Sequence, residues 1–206
     1  MFPTSTAALV VSVVVPGLLL GAALPTSAVT VEGTAGNDVL VGTHGRDRMK
    51  GLAGDDVIES RRGADRVSGG EGDDVIHLGR NALLEGPSGD IGFGNAGDDV
   101  VAGGPGFDVI VGNGGDDTLV GGSGVNTFED RTGNDVVIGG QDGDVVYLGP
   151  GFDRIRLGGS SDAVFVGVDG KTDVVFCGPG RDRVYHGGTL DTEDRFYGCE
   201  EFSDSP

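Results

Sequence analysis

The sequence predicts an all-β chain, wound as a parallel β-solenoid of short stacked turns. Three observations point there. Glycine supplies 42 of the 206 residues, without the every-third spacing that a collagen helix demands. Aspartate returns every nine residues over most of the chain, and an apolar residue follows each of these aspartates two positions later. With 9 Phe, 3 Tyr and no Trp, the chain has little bulky material for an ordinary layered core.

The aspartate clock runs through Asp38, Asp47, Asp56, Asp65 and Asp74 in a first block. A second block has Asp99, Asp108, Asp117, Asn126, Asp135, Asp144, Asp153 and Asp162, followed by a slip of two residues to Asp173 and a return at Asp182. The accompanying apolar column is Leu40, Met49, Ile58, Val67, Ile76, Val101, Ile110, Leu119, Phe128, Val137, Val146, Ile155, Val164, Val175 and Val184. A unit of nine divides into six turn residues and three strand residues, too few to bury its own apolar side chain, so stability has to come from stacking. Side chains alternate along a strand, so in Val39-Leu40-Val41 or Thr118-Leu119-Val120 the middle residue enters the core and its flankers face out.

Glycine in "GGPGFD" (103–108) and "GNGGDD" (112–117) permits the positive-φ turns that reverse the chain and leaves the turn carbonyls bare. Carbonyls plus a carboxylate make an oxygen cage, which suits a hard cation and Ca²⁺ in particular. Electrostatics favours ligation over decoration. Carboxylates stacked at strand spacing, about 4.8 Å, repel by about 0.9 kcal/mol at the permittivity of water and by several times more at an effective 20. A proton or a divalent ion has to relieve that repulsion, and at neutral pH the ion is favoured. The candidate metal ligands are accordingly Asp38, Asp47, Asp56, Asp65, Asp74, Asp99, Asp108, Asp117, Asp135, Asp144 and Asp153, holding several Ca²⁺ ions.

The formal charge of -19 argues against nucleic acid or an anionic membrane as partner and favours cations. An uncharged apolar run from Ala7 to Leu24, followed by the small residues Ser27 and Ala28, reads as a signal peptide over residues 1–28, without the usual basic n-region. The missing basic residues leave an uncleaved anchor as the alternative, but Pro16-Gly17 would interrupt a spanning helix, so cleavage after Ala28 is favoured and no stable membrane insertion is expected. The mature chain is expected outside the cell. There, Cys177 and Cys199 are expected to form a disulfide, the alternatives being two free thiols or a soft-metal pair short of ligands.

"GGPGFDVIV" (103–111) and "GGEGDDVIH" (69–77) resemble the Gly-Gly-x-Gly-x-Asp-x-apolar-x nonapeptide of RTX, or haemolysin-type, calcium-binding proteins. The resemblance implies a parallel β-roll with two nonapeptides per turn and Ca²⁺ between successive turns on one edge. It also implies ligation by loop carbonyls and the sixth-position aspartate, which makes Asp56, Asp74, Asp99, Asp117 and Asp135 the strongest candidates. The roll is expected over residues 29–185 and a small C-terminal cap over 186–206, clipped on by the disulfide.

Alternate units should lie on opposite edges, and the two edges differ in content. One reads "GDD", "GDD", "GND", "GFD" at 97, 115, 133 and 151, and the other "GFD", "GVN", "DGD", "SSD" at 106, 124, 142 and 160. The second edge is expected to bind fewer or weaker ions, and the fifth-position acids Asp55, Asp73, Asp98 and Asp116 to face solvent. Residues 78–93 hold no clean unit. The 25 residues from Asp74 to Asp99 divide either as two shortened turns after a regular one, the reading preferred, or as a turn carrying a surface loop. Shortened turns would exchange the acidic edge between the blocks; a loop would keep it on one side.

Neither Gly-x-Ser-x-Gly nor His-Glu-x-x-His occurs, and His44, His77 and His186 are isolated. The expected function is a secreted calcium-binding β-roll that folds with extracellular Ca²⁺, and not an enzyme. The alternatives are a calcium-loaded surface or matrix module that binds an extracellular protein or glycan, and, less favoured, a minimal hydrolase.

Overall fold

The computed structural model describes residues 28–79, 89–188 and 190–204. The expected leader falls outside these residues except for Ala28, as does "NALLE" in the irregular stretch. The described chain is a parallel β-solenoid. Successive units alternate between a nine-stranded sheet, from Val39–Val41 to Arg195–Tyr197, and a ten-stranded sheet, from Thr30–Glu32 to Glu201–Ser203. Each strand pairs in parallel with the strand one coil later, so that Leu40 lies opposite Ile58 and Leu119 opposite both Val101 and Val137.

This register aligns the apolar column. All fifteen of its residues, from Leu40 to Val184, are fully buried between the two sheets, and short strands such as Val57–Glu59 show the expected exposed–buried–exposed alternation. Each side chain buried this way contributes roughly 1.5–3 kcal/mol relative to exposure. The central strands are longer than the three residues expected, reaching six in Val100–Pro105, Val109–Gly114, Thr118–Ser123 and Thr127–Thr132. The turns stack in register too, with Gly122 paired to both Gly104 and Gly140, so the ladder continues past the core residue into the bend.

Two glycine positions show why the turns need them. Gly115 has φ +127°, and a Cβ there would lie 2.0 Å from the Gly97 carbonyl oxygen of the coil below. Gly69 has ordinary φ but faces its own unit's aspartate, and a Cβ would meet Asp74 Oδ2 at 2.1 Å. The first position opposes bulk through the backbone conformation, the second through the carboxylate.

The irregular stretch departs from the preferred reading. Asp74 and Asp99 occupy the same edge, since the Asp74 N–H donates to Asp99 Oδ1 at 2.8 Å and Val75–His77 pairs with Val100–Pro105. Among the described residues a single unit on the opposite sheet, Ile91–Ala96, separates them, so the acidic edge stays on one side and the reading of two shortened turns does not hold. That unit presents Gly92 at the core position; its missing side chain is replaced by buried Leu78, whose Cδ1 would lie 2.9 Å from a Cβ on Gly92.

At the C-terminus both sheets gain one more strand, Arg195–Tyr197 beside Val174–Phe176 and Glu201–Ser203 beside Arg183–His186. Cys177 and Cys199 form a disulfide with Cα atoms 5.3 Å apart. Glu201 holds Arg181 and Arg183 through Nε contacts of 2.6 and 2.7 Å. Closing a loop of 22 residues, the disulfide should stabilise the fold by roughly 3 kcal/mol. Urea denaturation of the calcium-saturated protein with and without reductant is expected to show that loss; an unchanged midpoint would remove the bridge from the stability of the fold.

Candidate metal ladders

Each column aspartate sits at the corner where the chain enters a strand, buried to 4% exposure or less. From Asp38 to Asp162 the backbone N–H donates to Oδ1 of the column residue one coil later, and the Asp182 N–H donates to Glu200 Oε2. On the first edge the links are Asp38 to Asp56 (2.7 Å), Asp56 to Asp74 (2.8 Å), Asp74 to Asp99 (2.8 Å), Asp99 to Asp117 (2.9 Å), Asp117 to Asp135 (2.7 Å) and Asp135 to Asp153 (2.9 Å). The second edge runs from Asp47 through Asp65, Asp90, Asp108, Asn126 and Asp144 to Asp162, at 2.7–3.1 Å. All eleven candidate ligands therefore lie on two ladders, seven on the first edge and Asp47, Asp65, Asp108 and Asp144 on the second. Charge counting alone missed that a backbone N–H already holds one oxygen of each stacked carboxylate from Asp56 onward.

The other oxygen decides the chemistry. Oδ2 of Asp56, Asp74, Asp99, Asp117, Asp135 and Asp153 on the first edge, and of Asp65, Asp108 and Asp144 on the second, is buried and has no hydrogen-bond partner. Leaving a buried carboxylate oxygen unsatisfied costs several kcal/mol, so these positions demand a proton or a cation. Burial pushes the metal-free carboxyls up, those of Asp65, Asp74, Asp108, Asp135 and Asp144 to about 6. Burial, with the neighbouring carboxylates added, brings Asp99 and Asp117 to about 7 and Asp153 to about 8.

Asn126 supplies an internal control. Its Oδ1 accepts from the Asp108 N–H at 3.1 Å as an aspartate would, while its Nδ2, standing where Oδ2 stands elsewhere, donates to the Gly124 carbonyl at 2.9 Å. The position that Oδ2 takes in an aspartate thus faces a carbonyl acceptor at this corner. A group that brings a hydrogen is satisfied there; a bare carboxylate oxygen is not.

Asp38 and Asp47 differ from the rest of the candidate set. Thr34 donates to Asp38 Oδ2 from its backbone N–H at 2.5 Å and its hydroxyl at 3.0 Å, and Thr43 does the same for Asp47 Oδ2 at 2.6 and 3.1 Å. The chain itself caps Oδ2 of both; Asp47 Oδ1 also accepts from the Val29 N–H at 3.0 Å, whereas Asp38 Oδ1 is buried without a hydrogen-bond partner. Asp90 is not legible in the sequence, because residues 78–93 hold no clean unit and Gly92 stands at its core position, although the chain places it squarely on the second ladder.

A further ladder distinguishes the edges. Asn37 and the fifth-position acids Asp55, Asp73, Asp98 and Asp116 are exposed, and each accepts the backbone N–H of its counterpart one coil later, at 2.7–3.1 Å, as far as Asn134, whose Oδ1 in turn accepts from the Phe152 N–H at 3.1 Å. The matching positions of the second edge are Arg46, Ala64, Gly89, Phe107, Val125, Gly143 and Ser161, which offer no such rail of acids. The first edge thus carries two rails of acid, an inner buried one and an outer wet one.

The RTX calcium-binding nonapeptide repeat family matches the sequence in four copies, over residues 30–58, 50–82, 93–128 and 120–155. The chain belongs to this family. Among curated proteins, none matches the sequence. RTX nonapeptide repeats bind Ca²⁺, and in this RTX chain the unpartnered carboxylate oxygens of Asp56, Asp74, Asp99, Asp117, Asp135 and Asp153 fall within the matched repeats, while those of Asp162, Asp182 and Asp194 lie beyond them. Oxygen donors from carboxylates and Gly-rich turn carbonyls fit a hard cation with flexible coordination. Among the described residues no helix is long and apolar enough to cross a membrane.

Proposed function

We propose that the protein is a secreted calcium-ion-binding β-roll whose folding is coupled to extracellular Ca²⁺, with the inner aspartate ladders as ligands and no catalytic role. The observation that carries this reading is the repeated orphan oxygen at the carboxylate corners, set against Asn126, where an N–H fills the same place. Millimolar Ca²⁺ outside the cell would occupy sites that stay empty in the cytosol, so the chain would be exported unfolded and set on arrival. The disulfide and the apolar leader over 1–28 support export. The first edge, with more regular aspartates and the outer rail, is the stronger binding edge.

Asp117→Asn tests the ligand assignment. With the new amide donating as Asn126 does, the variant should melt higher than wild type in chelator at pH 7, by about 2–4 °C for a gain of about 1 kcal/mol. It should also gain less from added Ca²⁺. Thermal melts in chelator and in millimolar Ca²⁺ read both signs, and a variant that loses stability in chelator and responds fully to Ca²⁺ contradicts the assignment.

A second reading, an interaction module for an extracellular protein or glycan, is favoured by one surface feature. Tyr147, Phe165 and Tyr185 stack in register on the outer face of the ten-stranded sheet, with ring centroids 4.6 and 4.7 Å apart. Capture of a partner that depends on Ca²⁺ and is lost in Tyr147→Ala would establish it.

A further inference from the structure

One corner of the first edge is built differently. At Gly51, Gly69, Gly94 and Gly112 a Cβ would point straight at the unit's own aspartate, 2.0–2.3 Å from Oδ2 of Asp56, Asp74, Asp99 and Asp117. In the next coil this position is Asp130, fully buried. A residue type that the regular turns exclude for lack of space is here a third carboxylate.

Among the described residues Asp130 enters no ion pair. Its Oδ1 accepts from the Gly149 N–H, and its Oδ2 has no partner; Oδ2 of Asp135 and of Asp153 are likewise buried and unpartnered. Asp130, Asp135 and Asp153 each bring a carboxylate oxygen to one point, the three lying within 4.8 Å of one another. Among the described residues no other three His, Cys, Asp or Glu side chains converge in this way. None of the three enters a salt bridge among the described residues; the adjacent Arg131 turns outward to Glu129 at 3.1 Å. Oxygens at this separation can share one ion at the 2.3–2.6 Å that Ca²⁺ prefers, whereas Mg²⁺ at 2.0–2.1 Å requires a tighter, near-octahedral set.

We propose that Asp130, Asp135 and Asp153 form a discrete three-carboxylate site for a hard divalent cation, Ca²⁺ by size, which binds more tightly than the sites between regular turns and fills before them. The proposal rests on the calcium-binding reading above and adds to it an order of filling. Two carboxylates and backbone oxygens serve a regular corner; here the third carboxylate adds formal charge inside a buried pocket, where Coulombic attraction to a dication is least screened. The first ion would then lock the coils carrying Asp135 and Asp153 in register in the middle of the second block, a nucleus onto which neighbouring corners add.

The test is calorimetric titration of the full chain with Ca²⁺, and with Mg²⁺ in parallel, for wild type, Asp130→Gly and Asp130→Asn. Asp130→Gly restores the residue of the regular turns, and Asp130→Asn keeps shape while removing charge. Wild type should show one tight Ca²⁺ step ahead of a weaker class, with Mg²⁺ a poor substitute. In both variants the tight step should weaken by ~10-fold or more, while the weaker class and the circular dichroism at saturating Ca²⁺ stay as in wild type. A tight step that survives in either folded variant, or a wild-type isotherm with a single class, overturns the proposal and leaves the calcium reading standing. A wild-type chain that takes up no Ca²⁺ overturns both.

Discussion

In chelator, the protein should be most stable in mild acid and should lose β-structure as the pH rises from about 4 toward 8, the reverse of ordinary acid denaturation. Burial first, and neighbouring carboxylates second where they adjoin, raise the buried carboxyls of Asp74 and Asp108 to about 6, of Asp99 and Asp117 to about 7 and of Asp153 to about 8, well above the ordinary carboxylate range. Between the unfolded and folded values the folded chain holds more protons than the unfolded one, so stability falls with rising pH across that window. The contribution is complete below about 4 and is lost as each folded pKa is passed. Calcium supplies at neutral pH what protons supply in acid, so millimolar Ca²⁺ at pH 7.5 should restore the fold. Urea midpoints followed by circular dichroism at pH 4.5 and 7.5, each with chelator and with Ca²⁺, provide the measurement. A chelated midpoint that climbs with pH, or one indifferent to Ca²⁺ at pH 7.5, would defeat the claim that these carboxyls govern folding.

Phe128→Ala should cost about 3–5 kcal/mol in calcium-saturated protein, the largest loss expected from a single core truncation. Phe128 is the largest fully buried side chain of the roll and lies between Ile110 and Val146 in the ten-stranded sheet. Across the core it occupies the room left by Gly121, where a Cβ would meet the ring at 2.8 Å. Because a coil touches only its neighbours above and below, the cavity cannot be filled by rearrangement along the axis. Val137→Ala, at the same depth in the facing sheet, is the control and should cost markedly less. Equal losses for the two, measured by urea denaturation at fixed Ca²⁺, would show that the ring is not filling the space assigned to it.

Much of this architecture is legible because one short unit is repeated. The apolar residue two places after each aspartate, the alternation of units between two edges and the poorer second edge all follow from counting, since a three-residue strand leaves one side chain for the core and stacking puts like positions together. Legibility fails where an interaction links positions that the repeat does not align. Gly92 looks like a broken core position until Leu78, from the unit before, is seen to fill it. Thr34 and Thr43 look like ordinary turn residues until their hydroxyls are found capping Asp38 and Asp47. Asp130 lies off the aspartate clock, and only the coil-to-coil stacking brings it to Asp153.

The sequence by itself determined the solenoid, its period, its core column and its taste for hard cations, because these depend on which residues recur and how far apart. Tertiary structure alone decided which edge each block occupies, which aspartate oxygens the chain already caps and where a third carboxylate converges. Those outcomes depend on contacts that range from four residues apart, as between Thr43 and Asp47, to eighteen or more along the ladders, and on whether a given buried oxygen meets an N–H or another oxygen, which a linear pattern does not record.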